Sequence, residues 1–341
     1  MKRRLVVDLA AARAAWRIPP GAVQQIRGAL PGWDVIQVEA PANSDGDGGG
    51  GSSAAIAAAR GAEVYLGYGL PSGVIDASRG SLKWVHTATA GVSPALGALQ
   101  GCGVTVTNSA GIHAEPMADW VLAAIAYFAR GFDYAVRAQA RSLWTKDAFT
   151  DGSHPFPELS DLRLGILGLG GIGTAVARRG LALGMKVAGV RRHPEQGGPT
   201  GMQWVGGFDA LDRLASESDV LAITVPKTPE TAGVVGERVL GNLPRGAVLV
   251  NVSRGGILDE GALLKALDGG RLRGTALDVF ATEPLPPSHP LWGHPRVLIT
   301  PHVSAVTARF WDREMALILE NVRRYLGGEP LANVVDLEAG Y

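Results

Sequence analysis

"LRLGILGLGGIGTAVARRGLALGMKVAGVRR", residues 162–192, decides the architecture. An apolar run, "LGILG", leads into Gly168, Gly170 and Gly173; an alanine-rich run follows, and a second apolar run, "KVAGV", closes the stretch. The pattern predicts strand, glycine turn, helix and strand. Each glycine of this G-x-G-x-x-G has its own reason: a tight turn at the first, close approach of backbone to a pyrophosphate at the second, and close packing of helix on sheet at the third. Gly171 and Ile172 open the helix, whose free N–H groups and positive dipole end suit a phosphate. A glycine triplet alone is weak; between a strand and a helix it points to a dinucleotide.

The end of the second strand selects the dinucleotide. An NAD site usually carries Asp or Glu about 20 residues after the motif, bonded to the ribose 2′-hydroxyl. Here Arg191 and Arg192 stand at that strand end. A carboxylate would repel a 2′-phosphate, whereas a guanidinium pairs with it bidentately. NADP(H) is therefore favoured, and the alternative is that solvated arginines leave the site open to NAD(H) as well.

Outward from this core, short apolar runs alternate with helical patterns, the grammar of a parallel sheet with crossover helices. "RLVVDL", "DVIQVEA", "EVYLGY", "LKWVHTA" and "VTVTNS" are five candidate strands before residue 110. The run "SDGDGGGGSS", residues 44–53, has no side chains able to build a core and reads as a flexible loop. From "HAEPMADWVLAAIAYFARGFDYAVRAQ" the spacing of Met117, Trp120, Val121, Ala124, Ile125 and Phe128 predicts a helical run long enough to bridge two domains. The fold class is thus α/β, with two Rossmann/flavodoxin-like doubly wound parallel sheets separated by a cleft. Residues 1–111, completed by 306–341, form the expected substrate-binding domain, and residues 112–305 the dinucleotide-binding domain. The last segment, "TARFWDREMALILENVRRYLGGEPLANVV", places Phe310, Met315, Leu317, Ile318, Val322 and Leu326 on one side of a helix. The loop holding "LWTKDAF" and "SHPFPELS" packs either on a partner subunit or on its own.

Composition narrows the function. With 341 residues and 46% hydrophobic content, the chain can build two cores. Lys plus Arg equals Asp plus Glu, 32 against 32, so no global field favours nucleic acid or an acidic membrane. Cys102 is the one cysteine, which excludes an internal disulfide framework and multi-cysteine metal sites; no metal is expected. No apolar run approaches the roughly 18 to 20 residues of a membrane span, and "MKRRLVVDLAAARAAW" turns charged too soon for a secretory signal. The reading is a cytoplasmic protein.

In an open α/β sheet, ligands sit beyond the carboxyl ends of the strands. Three further strand ends carry an unusual polar residue: Arg254 after "AVLVNVS", Glu283 shortly after "LDVF", and His302 after "LITP". Far apart in sequence, they would converge at one sheet edge. Pro226, ending "AITVP", is expected beside the cofactor. Ala90 and Gly91 in "ATAGVSPAL" are small enough to leave backbone N–H groups exposed as a nest for a substrate carboxylate. Taken singly, each of the three polar residues reads more simply as structural; together, beside a dinucleotide motif, they read as a catalytic set.

"GLGGIG", "NVSRGGILDE", "LDVFATEPLP" and "LITPHVSAVT", in this order and spacing, resemble the D-isomer-specific 2-hydroxyacid dehydrogenase family, and within it the NADP-type glyoxylate/hydroxypyruvate reductases. The resemblance extends to "HTATAGVSPAL" and "TNSAGIHAEPMADWVL" and so covers nearly the whole chain; Ser93 departs from the family's Asp or Asn. It implies an NAD(P)-dependent reductase of small 2-oxo acids working as a homodimer. His302 would be the proton donor, since an imidazole with a pKa of about 6.5 exchanges protons near neutral pH. Glu283 would fix its tautomer, Arg254 would hold carboxylate and carbonyl oxygens while the two following glycines let the backbone turn sharply, and Asp278 would bond the nicotinamide carboxamide. His86 and His113 are expected to be structural, and Trp144 to reach a neighbouring active site. Two alternatives stand beside this reading: a nucleotide-sensing, corepressor-like binding module on the same fold, and a phosphoglycerate dehydrogenase-like enzyme.

Overall fold

A computed structural model of the chain describes residues 2–39, 52–91, 99–152 and 155–337; the glycine run Gly48–Gly51 and Ser93 lie outside the described residues. The chain divides into two compact units, Met1–His113 with Val306–Tyr341, and Ala114–Ala305.

The first unit holds a five-stranded parallel sheet. Its strands are β1 (Arg4–Asp8), β2 (Asp34–Gln37), β3 (Val64–Gly67), β4 (Trp84–Thr87) and β5 (Thr105–Asn108), in the order β2-β1-β3-β4-β5. All five candidate strands are present. Both faces are covered: Leu5, Val7, Leu66 and Trp84 pack on one side and Val6, Tyr65, Val85 and Val106 on the other. That explains why these strands read as apolar runs rather than as alternating ones.

The C-terminal helix Phe310–Gly327 packs on the first of these faces through Met315, Ile318 and Val322. Two expectations for it fail. Leu326 is 43% exposed and Leu317 only half-buried, because both lie at the margins of the buried stripe. The stripe instead contains Glu314 and Asn321, both fully buried. Each has partners: Glu314 contacts His86 Nε2 at 2.8 Å and accepts from Ser109 Oγ at 2.8 Å, and Asn321 exchanges two hydrogen bonds with the backbone of Ala332. Buried polar groups are tolerated when so satisfied. His113 is buried and stacks on Phe310, with ring centroids 5.4 Å apart.

The second unit holds a seven-stranded parallel sheet: β6 (Arg163–Leu167), β7 (Lys186–Val190), β8 (Trp204–Gly206), β9 (Val220–Ile223), β10 (Ala247–Asn251), β11 (Leu272–Leu277) and β12 (Val297–Ile299). Their order is β12-β11-β10-β9-β6-β7-β8. The chain winds one way from β6 to β8 and the other way from β9 to β12, so the strand order reverses between β6 and β9. That switch point opens a crevice at the carboxyl ends. β8 is the strand the sequence pattern does not reveal, since it has three half-buried residues at the sheet edge, ending in glycine.

The helical run after residue 113 is two helices, Ala114–Ala129 and Phe132–Ala140. They break at Gly131, whose φ of +68° lies in the left-handed region. A Cβ there would meet Phe156 at 2.4 Å and Phe149 at 2.9 Å, so the turn and the ring packing both require glycine.

Candidate active site

The glycine loop after β6 sits at the switch point. Gly168 has φ +102°, and a Cβ on it would lie 2.7 Å from Val225. A Cβ on Gly173 would fall 1.9 Å from the Gly168 carbonyl oxygen, which itself accepts from Thr224 Oγ1 at 2.6 Å. Turn geometry and helix packing thus account for the first and third glycines.

Gly170 is different: its backbone is ordinary extended chain at φ −78°, and a Cβ there would meet no protein atom within 4 Å. Neither conformation nor packing demands a glycine at that point, which leaves open space above its backbone. Gly171 and Ile172 follow in the Gly171–Ala182 helix, which no side chain caps at its N-terminus. The loop fits a dinucleotide pyrophosphate.

Arg191 follows β7 directly. Its Nη1 donates to the Gly197 carbonyl at 2.9 Å and its Nη2 to Gln196 Oε1. It borders a surface cavity of about 600 Å³ that also touches Thr174, Arg178, Gln196 and Thr200. No Asp or Glu lines the cavity, and Arg178 has no ion-pair partner among the described residues. Two guanidiniums around one space without an acid make a local surplus of positive charge. Arg178 was not anticipated; it stands four residues after Thr174 on one helix face, and both line the cavity together with Arg191. Arg192 is exposed and Pro226 is exposed at the end of the strand β9 segment, its carbonyl accepting from Thr231 Oγ1 at 2.7 Å.

The other polar strand ends also meet. Asn251, Leu277 and Ile299 lie side by side in register across β10, β11 and β12. Arg254, Asp278 and His302 follow these three residues by three, one and three positions, so one sheet edge carries them all. His302 Nδ1 stands 2.8 Å from Glu283 Oε2, and the Phe280 N–H donates to Glu283 Oε1 at 2.8 Å. An ionised carboxylate only accepts, so Nδ1 carries the hydrogen and Nε2 is left facing away from Glu283.

His302 has φ +54°, an uncommon conformation for a residue with a bulky side chain. Asp278, fully buried, holds it there. Its carboxylate accepts from the Val303 and Ser304 N–H groups, each at 2.9 Å, and from the Thr300 hydroxyl, while its carbonyl accepts from the His302 N–H at 2.9 Å. The structure therefore gives Asp278 the duty of shaping the His302 turn, which the sequence did not suggest.

Arg254 is exposed, with Nη1 donating to the Ser253 carbonyl at 2.8 Å. Although the residue as a whole is exposed, the protein around the guanidinium group partly desolvates it, which pulls it below the usual arginine range, and the Glu283 charge pulls the other way; an arginine remains protonated in either case. The two following glycines divide the work differently from the expectation. Gly256 makes the sharp turn at φ +78°, whereas a Cβ on Gly255 would fall 1.6 Å from the Phe280 carbonyl oxygen. Gly255 is there for close approach to the segment leading to Glu283. Gly256 also lies against Lys227, whose Nζ would be 3.0 Å from a Cβ at that position.

Ala90 and Gly91 belong to the other unit, beyond β4. The Ala90 carbonyl accepts from Asn108 Nδ2 and the Gly91 carbonyl from Thr89 Oγ1, each at 3.0 Å. Trp144 is 97% exposed. Among the described residues no cluster of three or more His, Cys, Asp or Glu side chains could hold a metal ion, and no helix is long and apolar enough to cross a membrane.

Comparison with known proteins places this geometry. Residues 122–304 match the model of the D-isomer specific 2-hydroxyacid dehydrogenase, NAD binding domain. The chain is 35% identical over 280 residues to glyoxylate/hydroxypyruvate reductase A of Serratia proteamaculans (strain 568), an alignment covering 78% of this chain and 83% of that one. Among solved structures, it resembles a D-isomer specific 2-hydroxyacid dehydrogenase from Xanthobacter autotrophicus Py2 in complex with NADPH and MES, with a TM-score of 0.78, 32% identity and full coverage of both chains. It also resembles an NADPH-dependent glyoxylate/hydroxypyruvate reductase from Sinorhizobium meliloti in complex with NADP and sulfate, with a TM-score of 0.75, 27% identity and full coverage of both. The chain belongs to the D-isomer specific 2-hydroxyacid dehydrogenase family, NAD(P)-dependent oxidoreductases acting on a CH–OH group.

Proposed function

We propose that the chain reduces a small 2-oxo acid of the glyoxylate or hydroxypyruvate kind, using NADP(H) in preference to NAD(H). The observation that carries this reading is the His302–Glu283 hydrogen bond at the strand edge that also bears Arg254. The cofactor, when bound, supplies the hydride. This chain's residues supply the rest: His302 Nε2 gives a proton to the emerging alkoxide, Glu283 stabilises the charged imidazole, and the Arg254 fork holds the substrate carboxylate and polarises its carbonyl. Ala90 and Gly91 are proposed as further substrate contacts.

On the cofactor side, the glycine loop of Gly168, Gly170, Gly171, Ile172 and Gly173 would take the pyrophosphate, and Arg191 and Arg192 the 2′-phosphate. Arg178, across the same cavity from Arg191, adds a third cation to that end. Pro226 would border the dinucleotide. Asp278, whose fully buried carboxylate accepts from Thr300, Val303 and Ser304, is proposed to border the carboxamide. The exposed Trp144 and its neighbours Leu143 and Phe149 support a homodimer, since apolar surface of this kind commonly marks a subunit contact. A cytoplasmic location is proposed with it.

The test is oxidation of NADPH and NADH over a panel of 2-oxo acids, beside titration with 2′,5′-ADP and 5′-AMP. NADPH-linked turnover of glyoxylate or hydroxypyruvate, with 2′,5′-ADP bound more tightly than 5′-AMP and that difference shrinking in Arg191→Ala, is the expected result. Equal binding of the two nucleotides would overturn the cofactor preference, and turnover confined to other acids would overturn the substrate.

A further inference from the structure

"NVSRGGILDE" ends in two adjacent carboxylates, and only the first is explained by its own helix. Asp259 caps the helix Glu260–Asp268, accepting from the Ala262 N–H at 3.0 Å. Glu260 turns away from that helix: its Oε1 accepts from the Ala281 N–H at 2.7 Å, twenty-one residues along the chain. Ala281 lies between Phe280, whose N–H donates to Glu283 Oε1, and Glu283 itself. The other Glu260 oxygen, Oε2, lies 3.4 Å from His289 Nε2, and His289 Nδ1 accepts from the Leu291 N–H. Nδ1 is therefore the unprotonated nitrogen, and Nε2 carries the hydrogen that points at Glu260. Residues 256–259 are themselves fixed: the Gly233 and Val235 N–H groups donate to the Gly256 and Ile257 carbonyls, and the Asp259 N–H to the Val235 carbonyl.

We infer that Glu260 is a positioning residue that clamps the Glu283 loop to the segment bearing Arg254, so that the His302–Glu283 pair keeps its place relative to the Arg254 fork. Two contacts make the clamp. Gly255 presses on the Phe280 carbonyl, where no Cβ fits, and Glu260 holds the N–H of that same peptide unit, contributed by Ala281. A loop contact alone would leave the Glu283 carboxylate free to swing with residues 281–283. With both, residues 280 and 281 are fixed to a frame that already carries Arg254. The inference rests on the proposed roles of Glu283 and His302, while nothing in those roles requires Glu260.

The experiment compares wild type with Glu260→Ala, Glu260→Gln and Glu283→Gln in the full chain, recording kcat, KM for the oxo acid, the pH profile of kcat/KM, NADPH affinity by fluorescence titration, and thermal midpoint. Glutamine keeps an oxygen for the Ala281 N–H; alanine does not. The expected result is that Glu260→Ala loses about ten- to a hundredfold in kcat, the scale of a misplaced catalytic group. Its pH profile should move in the same direction as that of Glu283→Gln, NADPH affinity should stay within about twofold of wild type, and Glu260→Gln should recover most of kcat. The inference is overturned if Glu260→Ala keeps kcat, or if it loses kcat together with NADPH affinity and thermal midpoint without altering the pH profile, or if Glu260→Gln is as impaired as Glu260→Ala. Should Glu260→Ala not fold, Glu260→Gln against Glu260→Asp, which is too short to reach Ala281, decides the same question. If Glu283→Gln is itself fully active, the proposed catalytic set fails, and that outcome is distinct from failure of the clamp alone.

Discussion

His302 Nδ1 and Glu283 Oε2 stand 2.8 Å apart, and the bond joins the turn after β12 to the loop after β11. It leaves Nε2 as the imidazole's one outward nitrogen, so a proton delivered from this site leaves through a single atom. Replacing Glu283 by Gln puts a neutral amide where a carboxylate balanced the imidazolium. The expected consequence is a fall in kcat on the order of a hundredfold, within the usual worth of positioned acid–base groups. NADPH affinity should be unchanged, and stopped-flow or steady-state absorbance beside a binding titration measures both.

The glycine loop yields a contrast between two similar substitutions. Gly173→Ala forces a methyl group to 1.9 Å from the Gly168 carbonyl and should lower the thermal midpoint. Gly170→Ala meets no protein atom and should melt as the wild type does, yet bind NADPH at least about tenfold more weakly, a loss of about 1.4 kcal/mol. Calorimetry and fluorescence titration of the two variants check this. Equal loss of affinity at unchanged stability in both would mean that the loop's packing has been misassigned.

A buried carboxyl in the other unit predicts a pH dependence of stability. Asp8 ends β1, accepts from the Tyr65 hydroxyl at 2.5 Å on one oxygen, and among the described residues has no partner for Oδ1. Burial raises its pKa above the usual carboxylate value, with the Tyr65 hydrogen bond acting in the opposite sense. The folded chain thus holds this proton more tightly than the unfolded one. Its contribution is most favourable below the unfolded value of about 4 and is lost as pH rises through the folded value. Asp8→Asn cannot ionise, so its thermal midpoint relative to wild type should rise as the pH is taken from about 4 to 8. A difference that is constant across this range would contradict the assignment.

How much of this was legible beforehand depends on the range of each interaction. The G-x-G-x-x-G loop and eleven of the twelve strands among the described residues are local patterns, because parallel strands covered on both faces are written as apolar runs. β8, three half-buried residues long, has no such signature. The break at Gly131 hid inside a continuous helical spacing; the Phe149 and Phe156 rings that leave no room for a Cβ there come from further along the chain. Arg254, Glu283 and His302 stood out as polar residues at strand ends. Their support did not: Gly255 answers to Phe280, Glu260 to Ala281, and Asp278 to residues 300–304, each a contact made only when β10, β11 and β12 lie side by side. Glu314 and Asn321 broke the amphipathic reading of the last helix for the same reason, their partners being on β4, after β5 and after the helix itself.

If His302 is the proton donor of an oxo-acid reductase, single-turnover oxidation of enzyme-bound NADPH with glyoxylate or hydroxypyruvate will separate wild type from His302→Asn. The expected result is a hydride-transfer rate lowered by about 10²- to 10⁴-fold in the variant, with NADPH still bound at wild-type affinity. A variant that turns over at the wild-type rate, or a wild-type protein that binds NADPH and oxidises it with no oxo acid, would contradict it.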